Sequence, residues 1–413
     1  MKDSKLIIKK AEKKLTAIFE ELDIIRDLNQ EKVLKAFQDN RIGEEHFAYV
    51  TGYGHDDLGR EAIDRVYAQI FNCESAIVRN HFVSGTHALA CALFGNLRSG
   101  DRLVSVAGAP YDTMEEVIGK RGNQKASLKG HGVQYEEIPL KDGIEVDLDA
   151  IKKTIDKNTT MALIQRSRGY NIRKSINIET LAEIIEIIKT NNPDCICFVD
   201  NCYGEFVEAL EPTDVGVDLM AGSLIKNPGG GIVETGGYIA GRKDLVEQAA
   251  MRLTAPGIGR KGGTMLNQSR LILQGLFMAP SIVMEAVKGA VLASQVFLDI
   301  GYKTTPYPDE LRTDIIQAIQ FDDPDKLIKF CKVLQFNSPV NSHLTPIPDE
   351  VPGYEDKLIM AGGSFIEGST IELSADGPLR PPYVAYMQGG LNYAHVKIAL
   401  KGILDEIEIN DPA

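Results

Sequence analysis

An acid at the end of one buried strand and an amine just past the next can do chemistry together. In the stretch CICFVDNCYGEFVEALEPTDVGVDLMAGSLIKNPGGGIVETGGYIAG, an apolar run from Cys195 to Val199 ends in Asp200. A second run, Val217 to Ala221, leads to Ser223 and then Lys226, and glycines crowd the segment after that lysine. Neighbouring strands of a parallel sheet would deliver both groups to the sheet's carboxyl edge, where such sheets keep their ligand sites. A pyridine cofactor held as a Schiff base needs this pair: the lysine for the imine, the carboxylate for the ring nitrogen. As ordinary structure, Asp200 would be a helix N-cap and Lys226 a surface lysine in a loop. The apolar strand before each residue favours the chemical reading.

A further feature lies upstream. In HFVSGTHALACALFGNL, the residues Ser84, Gly85 and Thr86 stand where a loop becomes a helix carrying Ala88, Leu89, Ala92 and Leu93. Bare N–H groups at a helix start, a glycine that permits close approach and flanking hydroxyls make a seat for a phosphate. Such a turn is also a common helix cap, so it gains weight only from its company.

The elements that must position these groups follow from periodicity. Strand-like runs recur at Ala76 to Arg79, Arg102 to Ala107, Val133 to Ile138, Met161 to Gln165, Ile196 to Val199, Asp218 to Ala221 and Gly237 to Ala240, with helical stretches such as Ile178 to Lys189 between several of them. This pattern predicts an α/β fold with a doubly wound, mostly parallel sheet. Residues 5–38 read as one long helix, with Ala11, Leu15, Ile18, Leu22 and Ile25 forming a stripe that must dock on the body or on another subunit. A helical stretch from Thr264 to about Ile300 is long enough to link two lobes. Beyond it, a helix at Pro324 to Leu334, β runs at Leu358 to Ala361, Ser364 to Ile366 and Thr370 to Leu373, and a closing helix at Tyr383 to Leu404 suggest a smaller α+β unit. The expected organisation is therefore a helical arm over residues 1–50, a large domain over 51–300 and a C-terminal domain over 301–413.

Composition bounds the function. A chain of 413 residues with 44% hydrophobic and 25% charged residues is long enough for two lobes. A net charge of −13 argues against a nucleic-acid partner. No N-terminal signal stands out, and no apolar run approaches membrane-spanning length, so neither a membrane partner nor export is expected. The six cysteines show no paired C-x-x-C spacing and read as reduced core residues, which predicts a cytoplasmic protein with no metal site. The glycines between Pro228 and Gly237 follow the lysine rather than precede it, unlike a nucleotide-binding G-x-x-x-x-G-K-[ST] loop.

Taken in order, these segments resemble a known family. GREAIDRVYAQIFNCESAIVRNHFVSGTHAL, GDRLVSVAGAPYDTMEEVIG, FVDNCYGEF and SLIK are similar to the phosphate turn, ring-stacking strand, aspartate turn and lysine motif of fold-type-I pyridoxal-phosphate enzymes. Within the cysteine/methionine metabolism branch, the chain resembles the aluminium-resistance or methionine gamma-lyase-like group. The resemblance implies a large doubly wound domain of the aspartate aminotransferase type with a smaller C-terminal α+β domain, bound pyridoxal 5'-phosphate, and carbon–sulfur lyase activity on a sulfur-containing amino acid. It implies roles as well. Lys226 would carry the cofactor and shuttle the proton, deprotonated in a desolvated site. Asp200 would pair with the ring nitrogen, and Tyr111 would stack on the ring and assist the leaving group. Ser84, Gly85, Thr86 and Ser223 would hold the phosphate, joined by Tyr53 reaching in from a neighbouring subunit of a homodimer or homotetramer. Arg380 would meet the substrate carboxylate.

Departures from the pattern cluster on the substrate side. Ile225 stands where the family has a threonine, and His55 where it has a phosphate arginine, with Arg60 close by. The segment QRSRGYNIRKS replaces the family's asparagine motif, leaving Arg168 and Asn171 as alternatives for the cofactor's phenolic oxygen and Arg168 as a second substrate contact. The alternative readings are an aminotransferase or aldolase on the same fold, or a non-catalytic metal-tolerance protein.

Overall fold

The computed structural model describes residues 3–122, 124–351 and 356–407. The outermost ends of the expected arm and C-terminal domain, residues 1–2 and 408–413, lie outside the described residues.

Two sheets organise the chain. The larger contains β1 (Ser75–Arg79), β2 (Arg102–Ser105), β3 (Gln134–Glu137), β4 (Thr159–Gln165), β5 (Ile196–Asp200), β6 (Leu219–Ser223) and β7 (Gly237–Gly241), in the order β1-β7-β6-β5-β4-β2-β3. Strands β3, β2, β4, β5 and β6 run parallel, whereas β7 is antiparallel to both β6 and β1. The sheet is thus mixed, with a parallel centre and two inverted connections at one side. The smaller sheet contains β8 (Lys303–Thr305), β9 (Ile316–Gln320), β10 (Leu358–Ala361), β11 (Ser374–Pro378) and β12 (Val384–Gln388), all antiparallel in the order β10-β11-β12-β9-β8.

The central strands of the large sheet are buried because helices cover both faces. In chain order the helices are α1 (Ser4–Lys14), α2 (Thr16–Asp39), α3 (Leu58–Ile70), α4 (Gly85–Asn96), α5 (Asp112–Ile118), α6 (Leu148–Thr154), α7 (Ile178–Asn191), α8 (Lys243–Leu253), α9 (Gln268–Asp299), α10 (Pro324–Phe336) and α11 (Tyr393–Glu406). One apolar cluster, with Val104, Ile164, Val199 and Met220, joins α3 and α7 and continues into the small sheet. The other, with Leu103, Leu163, Phe198 and Ala221, is closed by α4 and α8. Alternate residues of one strand fall in different clusters, as the two-residue period of a strand requires.

Three expectations are corrected here. The N-terminal helix breaks at Leu15, where ψ opens to 2°, giving two helices that dock on the chain's own body. Lys14 pairs with Asp299 at 2.6 Å, Lys288 with Asp23 at 2.6 Å, and the buried Asn29 donates to the Phe206 carbonyl at 3.1 Å. The stretch from Tyr383 is strand β12 before it is helix: Gly389 and Gly390, at φ 74° and 141°, separate it from α11, which Asn392 caps. Neither Ser364 to Ile366 nor Thr370 to Leu373 forms a strand; β11 begins at Ser374 instead.

Helix α9, at 32 residues, packs against α1, α2, α3 and α11 and against β8 and β9 of the small sheet. It is long and apolar enough to cross a membrane by length and composition, which the sequence reading passed over. In this fold 67% of its most apolar window is buried inside the protein, as for a core helix.

Candidate active site

The carboxyl ends of β4, β5 and β6 face a cleft of about 770 Å³ whose opposite wall comes from the small sheet. Asp200, at the last position of β5, and Lys226, three residues past β6, line this one cleft. The acid and the amine therefore converge, the placement that the strand ends predicted.

Asp200 is buried, and its Oδ1 accepts the Cys202 N–H at 3.1 Å. Burial pushes its carboxyl upward, while the Lys226 charge pulls it back down. Burial pushes the Lys226 ammonium down. The facing Cys202, Tyr203, Asp200 and Tyr111 oppose that and outweigh it, so its net shift is upward. Desolvation alone thus does not deprotonate this lysine; its acidic neighbours hold the charge.

Lys226 Nζ lies 3.8 Å from the centre of the Tyr203 ring. A desolvated contact of this kind is worth roughly 2 kcal/mol. Tyr203 is buried and adopts a left-handed φ of 72°, an uncommon conformation for a bulky residue and one that gathers at functional sites. Sequence reasoning missed it, although an aromatic between Asp200 and Gly204 was the available signal.

The phosphate-seat expectation meets a built feature. Ser84 caps α4, its Oγ accepting the His87 N–H at 3.1 Å, and Gly85 opens the helix. A Cβ on Gly85 would lie 3.0 Å from Ser223 Cβ, so α4 starts hard against the end of β6. Ser223 Oγ is buried and has no hydrogen-bond partner among the described residues. A helix start, a close approach that glycine eases and an orphan hydroxyl together suit a phosphate. Thr86 lines the same cleft, and its Oγ1 pairs with Tyr111 Oη at 2.7 Å. Ser223→Ala should leave the cofactor-free chain as stable or up to about 1 kcal/mol more stable, while weakening phosphate-group binding about tenfold. Thermal unfolding with and without added cofactor reads both effects.

Tyr111 follows Pro110 and lines the cleft as α5 begins. Burial, with Asp200 second, pushes its hydroxyl upward, so it is a neutral phenol at ordinary pH. Its N–H donates to Gln165 Oε1 at 2.7 Å. Gln165 is the register partner of Asp200 across β4 and β5, and its Nε2 donates to the Ser167 carbonyl at 3.1 Å. This amide, missed in the sequence, ties the aromatic loop to the strand edge that bears the acid.

The segment after β4 splits by function. Arg166 turns away from the cleft into the scaffold, donating to Asn201 Oδ1 at 2.9 Å, and the exposed Lys174 pairs with Glu145 at 2.8 Å. Arg168, Asn171 and Arg173 line the cleft. Arg168 is buried, donates to the Thr305 carbonyl at 2.8 Å and leaves its Nε without a hydrogen-bond partner among the described residues. Burial pushes the Arg173 guanidinium down to about 10, against the pull of Asp314. Arg380 lines the outer cleft, half exposed, with Nη1 3.0 Å from Asp356 Oδ2.

Two residues stand apart. Tyr53 is 81% exposed, outside the cleft of its own chain, and its carbonyl accepts the Gly263 N–H at 3.0 Å. Arg60 is buried outside the cleft and donates to the carbonyls of Gly54 and Gly263 at 2.6 and 2.9 Å, so it organises that loop rather than lining the cleft.

The family model for methionine gamma-lyase matches residues 4–408. A Listeria monocytogenes structure, provisionally named a cystathionine beta-lyase involved in aluminium resistance, is 47% identical and superposes with a TM-score of 0.96 over 98% of this chain and 100% of its own. A Clostridium novyi structure named a carbon-sulfur lyase involved in aluminium resistance is 50% identical, with a TM-score of 0.94 over 98% of this chain and 96% of its own. At the level of fold alone, the pyridoxal-5'-phosphate-dependent protein YhfS of Escherichia coli is 16% identical with a TM-score of 0.63, covering 94% of this chain and 97% of its own. The fold is that of the fold-type-I pyridoxal-phosphate enzymes.

Proposed function

This chain belongs to the methionine gamma-lyase family, and from that premise we propose that it is a pyridoxal-phosphate-dependent carbon–sulfur lyase acting on a sulfur-containing amino acid. The observation that carries the reading is the convergence of Asp200 and Lys226 on one cleft beside an orphan serine hydroxyl at a helix start. Lys226 would hold the cofactor covalently and Asp200 its ring nitrogen. Gly85, Ser84 and Ser223 would take its phosphate, and Tyr111 its ring face. When bound, the cofactor supplies an electron sink for the carbon next to the amino group.

The chain's own residues do the rest. Arg380 and Arg168 offer two-pronged donors to the substrate carboxylate. The Lys226 amine would be the base that takes the proton from Cα. It works as a base once the acidic groups facing it are engaged, and Tyr203 gives its ammonium a place to rest when it carries the proton. The Thr86 and Gln165 contacts hold Tyr111 in place, so the cleft's aromatic wall is rigid before anything binds.

The active unit in this proposal is a homodimer or homotetramer, in which the exposed Tyr53 completes the phosphate end of a second copy's cleft. The six cysteines are free, which suits a reducing cytoplasm.

Incubating the cofactor-loaded protein with thioether amino acids and assaying free thiol against keto-acid exchange tests the reading. Thiol release is expected. Amino-group exchange without thiol would instead make the chain an aminotransferase, with the rebuilt 165–175 segment as the reason.

A further inference from the structure

We infer that Asp376, clamped by Tyr170, is a second proton-transfer group of this cleft, positioned to protonate the sulfur as it leaves; the inference rests on the carbon–sulfur lyase reading above.

Asp376 lies on β11 in the wall opposite Lys226's sheet, and it is 5% exposed. Its Oδ2 accepts the Tyr170 hydroxyl at 2.7 Å. Tyr386, the register partner of Asp376 on β12, brings its ring within 5.5 Å of the Tyr170 ring, so the tyrosine that clamps the carboxyl is itself packed against the small sheet. Three other cleft carboxylates have cations: Asp112 has Arg121 at 2.5 Å, Asp356 has Arg380 at 3.0 Å, and Asp200 faces Lys226. Among the described residues no lysine, arginine or histidine forms an ion pair with Asp376.

A buried carboxylate without a cation is costly, so such a group keeps its proton more readily than an exposed acid. Burial pushes Asp376 up to about 6, with the Tyr170 hydrogen bond pulling the other way. The carboxyl is thus poised near neutrality, where a general acid works best. Its charge is felt by Tyr203, whose ring also carries Lys226 Nζ. Base and acid thus line one cleft from its two walls.

Elimination needs a proton at each end. Lys226 takes one from Cα, and that C–H pair becomes the new carbon–carbon double bond. The C–S pair departs on sulfur, and the Asp376 proton bonds to it, giving a free thiol and a carboxylate that solvent reprotonates. Tyr111 is less suited to this part, because its hydroxyl is shared with Thr86 and held upward by burial.

The test uses two substrates with one skeleton, an S-alkylcysteine and β-chloroalanine, because a thiolate needs a proton on leaving and chloride does not. In the cofactor-loaded protein, Asp376→Asn should lower kcat for thiol release about 100-fold or more and change chloride release by less than about threefold. Tyr170→Phe should give the same selectivity at about a tenth of the effect on thiol release. On the cofactor-free protein, the infrared difference between wild type and Asp376→Asn at pH 5 should show one protonated carboxyl. Equal slowing on both substrates, unchanged thiol release or a missing carboxyl band would overturn the acid and leave the lyase standing. A wild type that releases no thiol would remove the lyase reading, and the acid with it.

Discussion

Lys226→Ala is expected to leave no more than about 10⁻⁴ of the wild-type rate of thiol release, because one substitution removes both the covalent anchor and the base. Borohydride reduction followed by mass spectrometry should place the cofactor's mass on the peptide that contains Lys226 in the wild type and nowhere in the variant. The variant should still fold, since Lys226 forms no ion pair among the described residues and its cationic contact is with the Tyr203 ring. Unchanged circular dichroism with lost turnover is the expected pair of results. A variant that keeps both its turnover and its reducible visible absorption would remove the assignment of Lys226.

The second large effect belongs to Asp200. Taking one partner from a buried charge pair costs about 3–5 kcal/mol, which is roughly 10²–10⁴-fold in rate if the loss falls on the transition state. Asp200→Ala should therefore lower kcat within that range, and Asp200→Glu should recover part of it by restoring the charge at a displaced position. The cofactor's absorption maximum should move in the alanine variant if Asp200 holds the ring nitrogen, as proposed. Substitution also frees the Cys202 N–H that now reaches Oδ1 at 3.1 Å, so thermal unfolding should be measured alongside turnover to separate a displaced turn from a lost charge.

The chemistry along one strand edge was readable from sequence because each group ends a buried apolar run. Asp200 closes β5, Ser223 closes β6 and Lys226 follows within a turn, so local pattern and register fix all three together. Ser84 and Gly85 were readable for a similar reason: capping is decided within a few residues. The wall from the small sheet was not. Tyr170 and Asp376 meet across 206 positions, and no periodicity relates them. Gln165 shows only as one more residue of a strand until its register partner and the Tyr111 N–H are known. The N-terminal arm was read as unbroken because neither glycine nor proline marks the break at Leu15. Strand β12 was folded into a helix because its apolar run precedes a helical one directly, and the two glycines between them carried the boundary.

The cleft has one wall from each sheet, and the two walls descend from different parts of the chain. Within one chain, the groups proposed to hold the ring and its phosphate belong to residues 84–226, whereas Asp376 and Tyr386 stand on strands of the antiparallel sheet and Arg380 on the turn between them. Variation can then act on the two halves separately. Drift in the second can change which amino acid is accepted while the inherited cofactor seat stays untouched, so relatives sharing Lys226 and Asp200 need not share a diet.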